Sequence, residues 1–74
     1  MPKLPAITPK KIIKILLKSG FKLDRTKGSH QIYYHDVLRK RVVVPMHKKD
    51  LPKGTLLEIL KQAGISKDDL SKLL

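Results

Sequence analysis

The stretch Lys27-Gly28-Ser29-His30-Gln31-Ile32-Tyr33-Tyr34 decides the fold. A glycine that can supply positive φ sits in Thr26-Lys27-Gly28-Ser29, and an alternating run follows directly. That order predicts a tight turn and then a strand from His30 to His35. Strand alternation puts Ile32 and Tyr34 on one face, expected to be the buried one, and Gln31, Tyr33 and His35 on the other. His30 shares the parity of Ile32. It is therefore expected at the margin of the core side, unless a bulge re-aims it.

Working outward, Phe21-Lys22-Leu23-Asp24-Arg25 alternates with period two and reads as the partner strand, with Phe21 and Leu23 inward. On the other side, Asp36-Val37-Leu38-Arg39-Lys40 forms a second turn. Arg41-Val42-Val43-Val44-Pro45 is β-branched and forms a third strand that its proline ends.

Two helices bracket these strands. Thr8-Pro9 supplies an N-cap hydroxyl and a first-turn proline. Ile12, Ile13, Ile15, Leu16 and Leu17 then make one apolar arc, and Gly20 ends the helix, predicted over 9–19, in a left-handed conformation. Leu56, Ile59, Leu60 and Ala63 have helical spacing in a second helix over 55–63, capped by Gly64. Ser66-Lys67-Asp68-Asp69 resembles a capping box and starts a short final helix docked by Leu70, Leu73 and Leu74. The expectation is an α+β fold, α-β-β-β-α plus a terminal helical turn. A three-stranded antiparallel sheet would carry both helices on one face.

Seventy-four residues imply a single domain, 1–74, with 1–7 as an extended proline-rich lead. No cysteine is present, which excludes disulfides and thiolate metal sites. No apolar run approaches the ~18 residues of a membrane span, and the N-terminus lacks an apolar signal core. The expectation is a cytoplasmic protein without a membrane partner.

Net charge is +11 from 17 Lys and Arg against 6 Asp and Glu. Such an excess works against compactness, so it points to a polyanionic partner, most often nucleic acid. Lys10, Lys11, Lys14 and Lys18 fall on the arc opposite the apolar one, with no acid among them. They form either a phosphate-facing ridge or a solvated face. Lys10, Lys14, Lys18, Arg25 and Lys48 are the candidate RNA contacts.

The candidate catalytic group is His30, since imidazole exchanges a proton near neutral pH. Lys27 and Arg25 are cations close by in sequence, and Gly28 and Ser29 supply amides and a hydroxyl. Together they make the minimum set for metal-free RNA cleavage. A histidine entering a strand is also commonly a packing or surface residue, and both roles remain open on spacing alone. No compact carboxylate cluster of the kind that holds Mg²⁺ is present, so neither metal nor cofactor is expected.

Four segments carry a family resemblance: Leu17 to Phe21 with its glycine–phenylalanine helix end, Arg25 to Tyr34 around Gly-Ser-His, Arg41 to His47 with Val-Pro-x-His, and Gly54 to Ser66. In this order and spacing the chain resembles the HicA (YcfA-like) mRNA interferase toxins of toxin–antitoxin pairs, from about Thr8 to about Leu70. The resemblance implies a double-stranded-RNA-binding-like fold, mRNA cleavage and neutralisation by a HicB-like antitoxin. It assigns the catalytic histidine of Gly-Ser-His to His30, and the histidine after the proline to His47.

In that chemistry His30 is a general base or acid for attack by the RNA 2′-OH. Lys27, with Arg25, stabilises the phosphorane, and Ser29 or the Gly28 and Ser29 amides bind a phosphate oxygen. His47 is the candidate for the second proton. Tyr33, on the expected outer face, is a candidate for base stacking or a plain surface tyrosine. The alternatives are a non-catalytic RNA-binding module, and an interaction protein that acts mainly in complex with its antitoxin.

Overall fold

A computed structural model describes residues 6–46 and 49–74. Its elements are α1 (Pro9–Lys18), β1 (Lys22–Lys27), β2 (His30–His35), β3 (Lys40–Pro45), α2 (Lys53–Ala63) and α3 (Lys67–Leu73). The sheet is antiparallel in the order β1-β2-β3. The order α-β-β-β-α is as expected, and the terminal helical turn is a seven-residue helix.

Local chemistry explains the helix ends. The Thr8 hydroxyl accepts from the Lys11 amide, and Pro9 opens α1. Gly20 follows the helix at φ +98°, and Gly64 ends α2 at φ +73°. Ser66 Oγ accepts from the Asp69 amide at the start of α3. α2 begins two residues before the expected Thr55. Pro52 occupies its N-cap without a side-chain hydrogen bond, because its ring carries no oxygen to accept from the first-turn amides.

The core lies between the helices and one sheet face. Ile12, Ile15 and Leu16 of α1 and Leu56, Ile59, Leu60 and Ala63 of α2 pack with Tyr33, Val42 and Val44, while Phe21 and Leu70 close the ends. Leu17, expected in the α1 apolar arc, is exposed, since it lies past the edge of that arc's contact with the sheet. The N-terminal lead contributes more than extension: Ile7 is buried, and its carbonyl accepts from the Leu51 amide. α2 also covers the free edge of β3, where Gln62 Oε1 accepts from the Val43 amide.

Strand parity differs from expectation in β2, and in β1 Leu23 has the expected inward parity but is not buried. Tyr33 is inward and only 3% exposed, whereas Ile32 and Tyr34 are half-buried on the opposite face and Leu23 is 51% exposed. The physical cause is β3. Turning Val42 and Val44 inward buries two valines, whereas the other parity would bury Arg41. The four-residue turn 36–39 closes the His35–Lys40 pair, which sets Tyr33 opposite Val42 and Gln31 opposite Val44. Directly opposed residues share a face, so Tyr33 is carried inward. Its hydroxyl, 2.8 Å from Gln31 Oε1, donates there, which makes burial of the phenol tolerable. Leu23 sits opposite Tyr33 on the same side, but on the edge strand, where it stays half exposed.

Candidate nucleic-acid interface

The first hairpin builds the site. β1 and β2 are joined by two residues, Gly28 and Ser29, between the paired Lys27 and His30. Gly28 takes φ +58° while Ser29 does not take positive φ, the backbone of a type II′ turn, which suits the twist of the two strands. The turn is tied down from behind. The Ser29 carbonyl accepts from the Met46 amide at 2.6 Å, holding the end of β3 against it.

His30 heads β2 with the parity of Ile32 and Tyr34, so it stands on the sheet face that carries no helix. It is exposed there, not at the margin of the core. The parity reversal in β2 is the reason. Lys27 lies directly across from it, which places the two Cβ atoms about 4.5–5.5 Å apart. Among the described residues none is hydrogen-bonded to the imidazole.

A bulge assembles the rest of this face. Between Leu23 and Arg25 the register of β1 slips, so that Asp24 is the extra residue. Without it, Arg25 and Lys27 would follow Leu23 to the helix side. With it, Lys22, Arg25 and Lys27 stand opposite Tyr34, Ile32 and His30. Asp24 turns to the same open face: its carboxylate lies 3.4 Å from Arg25 Nε and 4.0 Å from Arg41 Nη2. Arg41, opposite Tyr34, holds its guanidinium 5.6 Å from the Tyr34 ring centre.

The other predicted contacts lie elsewhere. Lys10, Lys14 and Lys18 are exposed on α1, whose opposite side is buried against the inner sheet face. Lys10 and Lys14 line a shallow open pocket with Thr8 and Lys11. The expected RNA contacts are therefore split, with the α1 lysines on the helix side and Arg25 on the open sheet side, beside the supporting cation Lys27. His47 and Lys48 lie outside the described residues.

The remaining histidine is structural. His35 shares the inward parity of Tyr33, not the outward one expected. Its Nδ1 accepts from the Leu38 amide at 3.0 Å, and its ring meets Phe21 edge-on with centres 5.1 Å apart. Tyr33, the expected stacking candidate, is buried, and burial pushes its phenol above the usual tyrosine value. Tyr34 and Arg41 were the residues missed. Tyr34 shares the parity of His30, as the alternation implies, but that face was expected to be the buried one.

Residues 9–65 match the family model described as "HicA toxin of bacterial toxin-antitoxin". A search of curated proteins finds no match. No helix among the described residues is long and apolar enough to cross a membrane.

Proposed function

The chain belongs to the HicA toxin family of bacterial toxin–antitoxin systems, and from that premise we propose that it is an endoribonuclease that cleaves mRNA by histidine-assisted attack of the RNA 2′-OH. Family membership also implies a HicB-type antitoxin as partner. The observation that carries the activity is the pairing of an exposed His30 with Lys27 across a two-residue turn on an open face.

RNA brings its own nucleophile next to each phosphodiester. His30 takes the 2′-OH proton, the oxygen attacks phosphorus and the 5′-oxygen leaves. Products then end in 2′,3′-cyclic phosphate and 5′-hydroxyl. In this reading Lys27 stabilises the charge that builds on the phosphorane, and the Gly28 and Ser29 amides with Ser29 Oγ bind a phosphate oxygen. Arg25 is shared with Asp24, so it supplies a weaker field than Lys27. His47 is proposed as the acid that protonates the leaving oxygen.

The rival function is RNA binding without cleavage. It is favoured by the lack, among the described residues, of any group bonded to the His30 imidazole, because a general base is commonly oriented by a partner. RNA cleavage in EDTA by wild type and His30→Ala separates the two. The expected outcome is cleavage by wild type and a loss of roughly 10²–10⁴-fold in the variant. An active His30→Ala, a strict metal requirement or 5′-phosphate products would each refute the mechanism.

A further inference from the structure

The open sheet face is more than a mount for His30. Three rows cross it: Lys27 beside His30, Arg25 beside Ile32, and Lys22 beside Tyr34. Every row puts a cation on the edge strand β1 and an apolar or ring side chain on β2. The third row continues to Arg41, whose guanidinium packs on the Tyr34 ring while Asp24 approaches from the side. Among the described residues, four cations and one carboxylate share this face, and no helix covers it. Tyr34 is half-buried here and Val43 remains 37% exposed.

The geometry points to the Tyr34–Arg41 pair as a base-stacking platform for single-stranded RNA, seating a nucleotide that flanks the one at His30. This rests on the ribonuclease reading for what happens at His30, but not for the binding itself. One rail of charge beside one row of rings and apolar groups matches a strand whose single backbone runs along β1 and whose bases are splayed over β2. A duplex offers two backbones and hides its base faces, so it would leave this row unused. The net positive charge favours a polyanion over a neutral protein surface.

Tyr34 lies four residues from His30, about 13 Å along the strand. That is far beyond hydrogen-bond reach of the reacting phosphate. Tyr34 is therefore a positioning residue, and its effect should fall on affinity and on which sequences are cut.

The test uses a short unstructured RNA with 2′-fluoro substitution throughout, which removes the nucleophile but keeps the RNA-like sugar pucker, so that binding is read without cleavage. Tyr34→Phe keeps the ring and should bind as wild type does. Tyr34→Leu keeps apolar cover on the sheet but removes the ring. It should weaken binding roughly 5- to 150-fold, the range of one aromatic–base stack. The salt slope should not change, because no cation is lost. The chain has no tryptophan, so Tyr34→Trp introduces a single reporter whose emission should be quenched as a base stacks on it.

Unchanged affinity in Tyr34→Leu, or unquenched emission at saturating ligand, would overturn the platform. So would a Tyr34→Leu variant that binds this strand normally but loses its antitoxin, which would make the face a protein-docking surface. Failure of cleavage in EDTA would instead strike the ribonuclease reading and leave the stacking result standing.

Discussion

Two histidines on one strand should behave oppositely when truncated. His35→Ala removes an acceptor for the Leu38 amide and an edge-on ring partner of Phe21. A neutral hydrogen bond contributes about 0.5–1.5 kcal/mol net, and an aromatic pair a similar amount beyond its burial. The ring also fills the space beside Gly20: a Cβ built there would come within 2.7 Å of His35 Nε2. Together these give a cost of roughly 1–3 kcal/mol, which for a domain of this size lowers Tm by about 5–20 °C. His30 is exposed, so His30→Ala should stay within about 0.5 kcal/mol of wild type. Thermal melts by circular dichroism measure both. RNA cleavage, assayed below the melting range of all three proteins, supplies the other half. His35→Ala should cut at the wild-type rate, and His30→Ala should not. His35→Phe keeps a ring without the acceptor and should melt between wild type and His35→Ala. If His35→Ala melts no lower than His30→Ala, or loses cleavage while still folded, the division of roles between the two faces of β2 is wrong.

The α1 ridge and the buried phenol make further tests. Lys14→Glu should weaken RNA binding and flatten its salt dependence by at least about one unit of slope if RNA reaches the helix side; an unchanged slope would restrict binding to the open face. Tyr33 has its folded pKa raised by burial, so the protonated form is favoured in the native state. Its contribution is complete below the usual value of about 10 and is lost as pH rises from there through the raised folded value. Alkaline unfolding should therefore be shallower in Tyr33→Phe, and parallel curves for the two proteins would contradict the burial argument.

Much of this protein was legible in its sequence because the signals are local. Thr8 and Ser66 cap helices through amides three residues on, Gly20 and Gly64 take positive φ where helices end, and Gly28 does so in a two-residue turn. The apolar spacing of Leu56, Ile59, Leu60 and Ala63 named its own buried face. These are interactions within a few residues, so the order of elements and the hairpin that presents His30 needed no knowledge of the rest of the chain. The +11 charge likewise required only counting.

Strand facing is a different kind of fact. Ile32 and Tyr34 on one parity compete with Tyr33 on the other, and alternation alone cannot rank a single tyrosine above an isoleucine and a tyrosine together. Only pairing with β3 decides it. Burying Val42 and Val44 draws Tyr33 inward across the sheet and sends His30, Ile32 and Tyr34 to the open face. The bulge at Asp24 then brings Arg25 and Lys27 to the face that Lys22 already occupies, where unbroken alternation would have left Arg25 on the side of Leu23. Cross-strand register joins residues far apart in the chain, and a one-residue difference reverses every side chain beyond it. The presence of the histidine, the lysine and the turn was written locally. Which side of the sheet they occupy, and that Tyr34 and Arg41 join them there, was settled by the tertiary structure.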